Sequence, residues 1–178
     1  LFEIIDRYMI LHFSGSPVEA ALVDVGYYHS SRIVPVLFVT FSCMLASVIL
    51  PHLSRDWEAG RRELVSDRMN LSLKLCTLVL SAGATATVII APVLFVVGFG
   101  GKYAGGLAVM PWTLTYCVWF GLSFLAEMYL WCAERARLGS YALAIGVVVN
   151  VTLNLLLLPW LGLLGAVLAT AASKLLLL

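Results

Sequence analysis

Four long stretches without a charged side chain limit what this chain can fold into. Ile33–Leu50, Leu75–Val97 and Tyr103–Ala126 carry no Asp, Glu, Lys or Arg, and the run Leu138–Ser173 carries none over a still greater length. A helix needs about 20 apolar residues to cross roughly 30 Å of hydrocarbon. Only helices and closed barrels satisfy their backbone polar groups inside lipid, and the alternating polar and apolar pattern of barrel strands is absent. The expected fold is therefore all-α, a polytopic transmembrane helix bundle. Composition agrees: 12% of residues are charged and 62% are hydrophobic, against about 25% charged in ordinary soluble domains.

The last run is too long for one crossing, and Pro159-Trp160-Leu161-Gly162 is the natural break within it. Proline and glycine stop helices, and tryptophan suits a membrane interface. Spans are expected near 1–13, 25–50, 70–97, 107–131, 138–158 and 163–178, about six in all. The chain opens and closes inside apolar stretches. Residues 1–178 are thus expected to form a single transmembrane domain from a longer protein, with both terminal spans truncated. Ser16-Pro17-Val18-Glu19 has the form of a capping box, and Pro35 is expected to kink the second span.

Basic residues supply an independent check, because cytoplasmic loops are enriched in Lys and Arg. If the spans alternate, one side receives Arg55, Arg61, Arg62, Arg68, Lys74, Arg135, Arg137 and Lys174, and the other only Lys102. The connections near 51–69 and 132–137 then face the cytoplasm, and 14–24 and 98–106 lie outside. The 51–69 connection, with charges of both signs, reads as a solvated helical connector. A lipid-headgroup or partner-docking role is its alternative.

Other chemistries find little support. The net charge of +1 gives no basic face dense enough for a nucleic-acid partner. Cys43, Cys76, Cys117 and Cys132 are widely spaced and read as small core side chains, and the three histidines lack metal-ligand spacing. The glycine-rich segment from Gly98 to Gly106 lacks the order of a phosphate-binding loop. No cofactor or metal is called for.

Several stretches taken in order resemble the C-terminal half of the polysaccharide biosynthesis, or oligosaccharide flippase, family. They are Ile5-Asp6-Arg7, Val25-Gly26-Tyr27-Tyr28, Leu50-Pro51-His52-Leu53-Ser54 with Glu58-Ala59-Gly60, Asn150-Val151-Thr152-Leu153-Asn154 with Pro159, and Gly162-Leu163-Leu164-Gly165-Ala166 with Ala169-Thr170. That family belongs to the broad multidrug/oligosaccharidyl-lipid/polysaccharide transporter group, with the multidrug antiporters and the lipid II flippase. The resemblance implies a two-half transporter of about twelve spans in the inner (cytoplasmic) membrane. It further implies alternating-access flipping of a lipid-linked oligosaccharide of the undecaprenyl-pyrophosphate type, for cell-surface polysaccharides such as lipopolysaccharide. The partners implied are that lipid, the membrane and the N-terminal half. A multidrug or ion-coupled antiporter, a membrane-embedded glycosyltransferase or polymerase, and a structural membrane partner are the rivals.

Ionisable groups inside a bilayer are costly and usually face a cavity or a partner. Glu3, Asp6 and Arg7 lie in the first expected span, and Arg32, with His29 nearby, in the second. Arg7 and Arg32 are each about six residues from an outer helix end, about 9 Å at 1.5 Å per residue. They are expected at similar depth, where paired guanidiniums suit a pyrophosphate. The alternatives are an Asp6–Arg32 ion pair or arginines reaching the headgroups. Glu127 is either a coupling carboxylate or a snorkelling residue paired with Arg135. Asn150 and Asn154, at i and i+4, share a face for interhelical hydrogen bonds or sugar hydroxyls. The small faces Gly162/Ala166/Thr170 and Gly165/Ala169/Ser173 read as packing surfaces. No catalytic residues are expected.

Overall fold

The computed structural model describes residues 2–15 and 17–176, and its described residues form helices joined by short turns, without strands. The order is α1 (Phe2–Phe13), α2 (Val18–Arg32), α3 (Pro35–Glu58), α4 (Arg62–Phe99), α5 (Ala104–Cys132), α6 (Ala136–Leu161) and α7 (Leu163–Leu176). Four of them, α3 to α6, are long and apolar enough to cross a membrane, and α7 is a shorter apolar helix.

The apolar residues face outward as well as inward, as lipid rather than water demands. Leu78, Ile89, Val93, Val96 and Val97 of α4 are all exposed. The centre of the bundle is α5: half of its most apolar stretch is buried by other helices, against 17% in α3 and α4 and 22% in α6. Helices α2, α3, α4 and α7 pack around it, and α6 packs chiefly on α7 and α1. Near the turn between α3 and α4, Leu53, Val65, Met69, Leu125 and Met128 fill the space between α3, α4 and α5. A second core joins Met9, Ile10, Tyr28, Tyr116, Leu158 and Val167.

Where a kink is expected at Pro35, the helix is interrupted at 33–34 and Pro35 opens the next one. Ile33 and Val34 keep right-handed helical dihedrals between α2 and α3, so the two helices form one broken path. Proline has no N–H to give to the carbonyl four residues earlier, which is that of Ser31. Thr113 of α5 supplies the missing donor, with its hydroxyl 2.9 Å from the Ser31 oxygen. Inside a bilayer that substitution is needed, because no water is available to do it.

Three boundaries differ from the sequence expectation. The helix leading to Pro35 starts at Val18, well before position 25, and Ala21 is fully buried within it. The capping-box form of Ser16-Pro17-Val18-Glu19 already places a helix start there, as a short interfacial turn opening the second span, and the structure extends it as a continuous helix to Arg32. Ser16, the expected capping serine, lies outside the described residues. Pro159 sits inside α6, and the break falls at Gly162, whose φ of +53° a glycine adopts without a Cβ penalty. Finally, α4 runs 38 residues, about 57 Å at 1.5 Å per residue, longer than the roughly 30 Å of hydrocarbon a span must cross.

Between Arg55 and Arg68 the connection from α3 to α4 is largely exposed, as a solvated helical connector should be, with Asp56 and Val65 the buried exceptions. Asp56 is buried and accepts hydrogen bonds from both Arg61 and Arg68. Arg62 stacks on Trp57 at 4.2 Å, and Trp57 meets Tyr129 edge-on. These arginines thus fasten α3 to α4 across the Gly60 turn.

Candidate functional site

Helix α1 and the broken path through α2 run antiparallel, and this brings their ionisable residues together inside the bundle. Asp6 is fully buried. Its Oδ2 accepts from the Tyr28 hydroxyl at 2.5 Å and from Thr170 Oγ1 at 2.6 Å. Its Oδ1 accepts from Nδ2 of Asn154 at 3.0 Å and of Asn150 at 3.2 Å. An ionised carboxylate is an acceptor with about four lone-pair sites, and four neutral donors from α2, α6 and α7 occupy them. The Asn150 amide also donates to Thr170 Oγ1 at 2.9 Å. The carbonyl oxygens of Asn150 and Asn154 remain buried and unpartnered. No group of three or more His, Cys, Asp or Glu gathers among the described residues. The Asp6 carboxylate is thus a buried acid held by neutral donors alone, and such a group can exchange a proton.

Beside this node lies a cavity of about 130 Å³. Its polar wall is made by Glu3, Asp6, Tyr28, Arg32, Tyr116, Thr170 and Lys174, and its apolar wall by Phe2, Val36, Val39, Cys117 and Phe120. Arg32 closes α2 and forms an ion pair with Glu3. The guanidinium also lies over the rings of Tyr28 and Tyr116, at 5.3 and 5.7 Å. The pair is asymmetric: the Arg32 side chain is 8% exposed and that of Glu3 49%. The Nε of Arg32 and the hydroxyl of Tyr116 are buried without a hydrogen-bond partner.

The expected constellation is rearranged by the helix pairing. The Asp6–Arg32 ion pair is replaced, since Arg32 takes Glu3 and Asp6 takes neutral donors. Arg7 bonds His29 at 3.0 Å, while Glu3 lies opposite Arg32. The two guanidiniums are thus offset by about one helical turn, roughly 5.4 Å, instead of sharing a level. Arg32 ends a helix of 15 residues and lies about 21 Å from its start, deeper than expected. The cavity is lined by Arg32 and Asp6, whereas Arg7, Asn150 and Asn154 are not among its lining residues. The two asparagines hold Asp6 in place through the hydrogen bonds described above.

Glu127 occupies a separate groove of about 300 Å³ between α5 and α6, with Ser123, Phe124, Gly139 and Leu143. Its carboxylate accepts from Trp131 Nε1 at 3.4 Å rather than pairing with Arg135. The absent Cβ of Gly139 makes room for it, since one built there would come within 3.0 Å of Glu127 Oε1.

Sequence reading missed two contributors. Thr170 counts there as part of a small packing face and Lys174 among the basic residues of the cytoplasmic side, yet both line the cavity. Lys174 is 4% exposed, with its ammonium 3.6 Å from the ring centres of Phe2 and Phe120. Removing it from the count of basic residues leaves seven against one. The available signal is spacing: Gly162, Ala166, Thr170 and Lys174 recur every four residues and form one helix face. The remainder of the small-face reading agrees with the packing, because a Cβ on Gly165 would come within 2.5 Å of the Leu157 carbonyl oxygen.

Comparison with known proteins places this geometry in a family. An uncharacterized membrane protein, YabM, from Bacillus subtilis (strain 168) is 30% identical over 175 residues, which is 97% of this chain and 32% of the relative. The chain thus spans about a third of that relative's length. No solved structure matches. The lipid II flippase MurJ family matches residues 21–178, a stretch that includes Arg32, Glu127, both asparagines, Thr170 and Lys174. The chain belongs to the lipid II flippase MurJ family.

Proposed function

We propose that this chain is part of a transporter that flips a lipid-linked saccharide across the cytoplasmic membrane, and that its cavity receives the diphosphate of that lipid. The observation that carries the reading is Arg32: a guanidinium held deep in the helix bundle, lining a cavity, with an unspent N–H. Arginine's planar fork matches phosphate oxygens through charge-assisted hydrogen bonds. Membership of a flippase family favours transport over catalysis, and so sets the glycosyltransferase rival aside. Six spans, with α2 and α3 as one crossing, and a second half of the protein closing the open side of the cavity complete the proposal. An oligosaccharide-bearing lipid is the proposed cargo.

The test is translocation of a fluorescent polyprenyl-diphosphate saccharide by the full-length protein in proteoliposomes. Arg32→Ala is expected to abolish it with insertion intact, and Arg32→Lys to restore it only in part. Wild-type rates from Arg32→Ala would remove the binding role.

A second reading, an ion-coupled antiporter, is favoured by the Asp6 node, a buried carboxylate held only by neutral donors. The same vesicles separate the two. Flipping that needs an imposed proton or sodium gradient and is lost in Asp6→Asn assigns the node to coupling. Flipping indifferent to both assigns it to structure.

A further inference from the structure

Lys174 is the cavity charge whose contacts are least complete. An ammonium carries three N–H donors, and burying it without hydrogen bonds is costly. Yet its contacts among the described residues are the faces of Phe2 and Phe120, both at 3.6 Å. The neighbouring carboxylates are already engaged, Glu3 by Arg32 and Asp6 by its four donors. The cavity of about 130 Å³ that Lys174 shares with Arg32 is far larger than the roughly 10–15 Å³ that a single water needs.

We infer that Lys174 is a second anion-contacting residue of this cavity, which Phe2 and Phe120 hold in readiness when no anion is present. Aromatic faces attract a cation without taking its hydrogen bonds. An arriving phosphate oxygen offers the ammonium charge-assisted bonds that the rings cannot. The flexible four-carbon stem lets the head group swing from ring to ligand. Arg32 from α2 and Lys174 from α7 then grip one diphosphate from two different helices, so that its arrival draws those helices together. The inference rests on the proposed reading of the cavity as a diphosphate site, and it adds the residue that senses occupancy.

The experiment compares binding of polyprenyl diphosphate and of the uncharged polyprenol to the full-length protein in detergent. The wild type is expected to prefer the diphosphate by about tenfold or more, the worth of one or two bonds to a charged group. Lys174→Met keeps an unbranched chain between the rings, where its sulfur packs well on aromatic faces. It is expected to lose most of that preference while polyprenol binding holds, and Lys174→Arg to keep it. Inorganic pyrophosphate is the probe for the source of the phosphate. Competition by it shows that the cavity reads the headgroup alone, and no competition shows that the lipid chain is needed, and either supports the role provided that Lys174→Met loses the preference. Phe120→Leu loosens the resting clamp and is expected to tighten diphosphate binding, which keeps the inference testable if Lys174→Met does not fold. A Lys174→Met protein with the full preference, or weaker diphosphate binding in Phe120→Leu, overturns the role of Lys174 and leaves the flippase reading standing. A wild type that binds both lipids alike overturns the flippase reading and this inference with it.

Discussion

The Thr170 hydroxyl donates to Asp6 across 2.6 Å, although 164 residues separate the two in the chain. With Tyr28, Asn150 and Asn154 it ties α1, α2, α6 and α7 to one carboxylate. Asp6→Ala removes the acceptor of four buried donors, of which Asn150 keeps Thr170 Oγ1, and an unsatisfied donor costs about 1–3 kcal/mol in a protein interior, though membrane pairs average about 0.6 kcal/mol. We expect a loss of about 2–4 kcal/mol, and about 1 kcal/mol for Thr170→Val. Thermal unfolding in detergent checks the order. A Thr170→Val protein less stable than Asp6→Ala would show that the node is not centred on the carboxylate.

The pairing of Arg32 with Glu3 separates fold from transport. Exchanging the two, Glu3→Arg with Arg32→Glu, is expected to restore the stability that Arg32→Glu alone removes. Flipping stays lost, because the cation then sits on the half-exposed side of the pair. Recovery of transport in the exchanged protein would reduce Arg32 to a structural partner.

Topology is open to labelling. A cysteine at position 61 is expected to react only when reagent reaches the cytoplasmic face, and one at position 102 from outside intact cells. The warrant is the basic asymmetry, seven to one once Lys174 is placed in the interior. External labelling at position 61 would end the alternating arrangement.

Two glycines of the same chemistry are expected to answer oppositely. A methyl on Gly165 meets the Leu157 carbonyl at 2.5 Å, whereas one on Gly98 meets nothing within 4 Å. Overpacking costs about 1–3 kcal/mol, so Gly165→Ala should destabilise the α6–α7 contact. Gly98→Ala, inside α4, should be neutral or stabilising by up to about 1 kcal/mol. Equal melting temperatures for the two variants would contradict the close approach.

Asp56 is expected to lock the cytoplasmic connection. Asp56→Ala frees Arg61 and Arg68 together and should speed proteolysis at Gly60, with little change if either arginine alone is replaced. Unchanged cleavage in Asp56→Ala would return the segment to a simple solvated linker.

Sequence alone determined the solvent this protein folds in, the helical class, the positions of the long apolar helices and the helix break at Pro35. Those properties are summed along the chain: an uncharged run long enough for the hydrocarbon is legible wherever it occurs, and a proline breaks a helix whatever surrounds it. Tertiary structure alone decided which charges meet. Helices apolar on every side carry no stripe to mark their inner face, so nothing in the runs shows that α5 is central while α4 is mostly exposed. The rotation of each helix about its axis turned Asp6 towards α6 and α7 and left Glu3 for Arg32. The same rotation put Lys174, which the sequence only counts among the basic residues of one side, between Phe2 and Phe120.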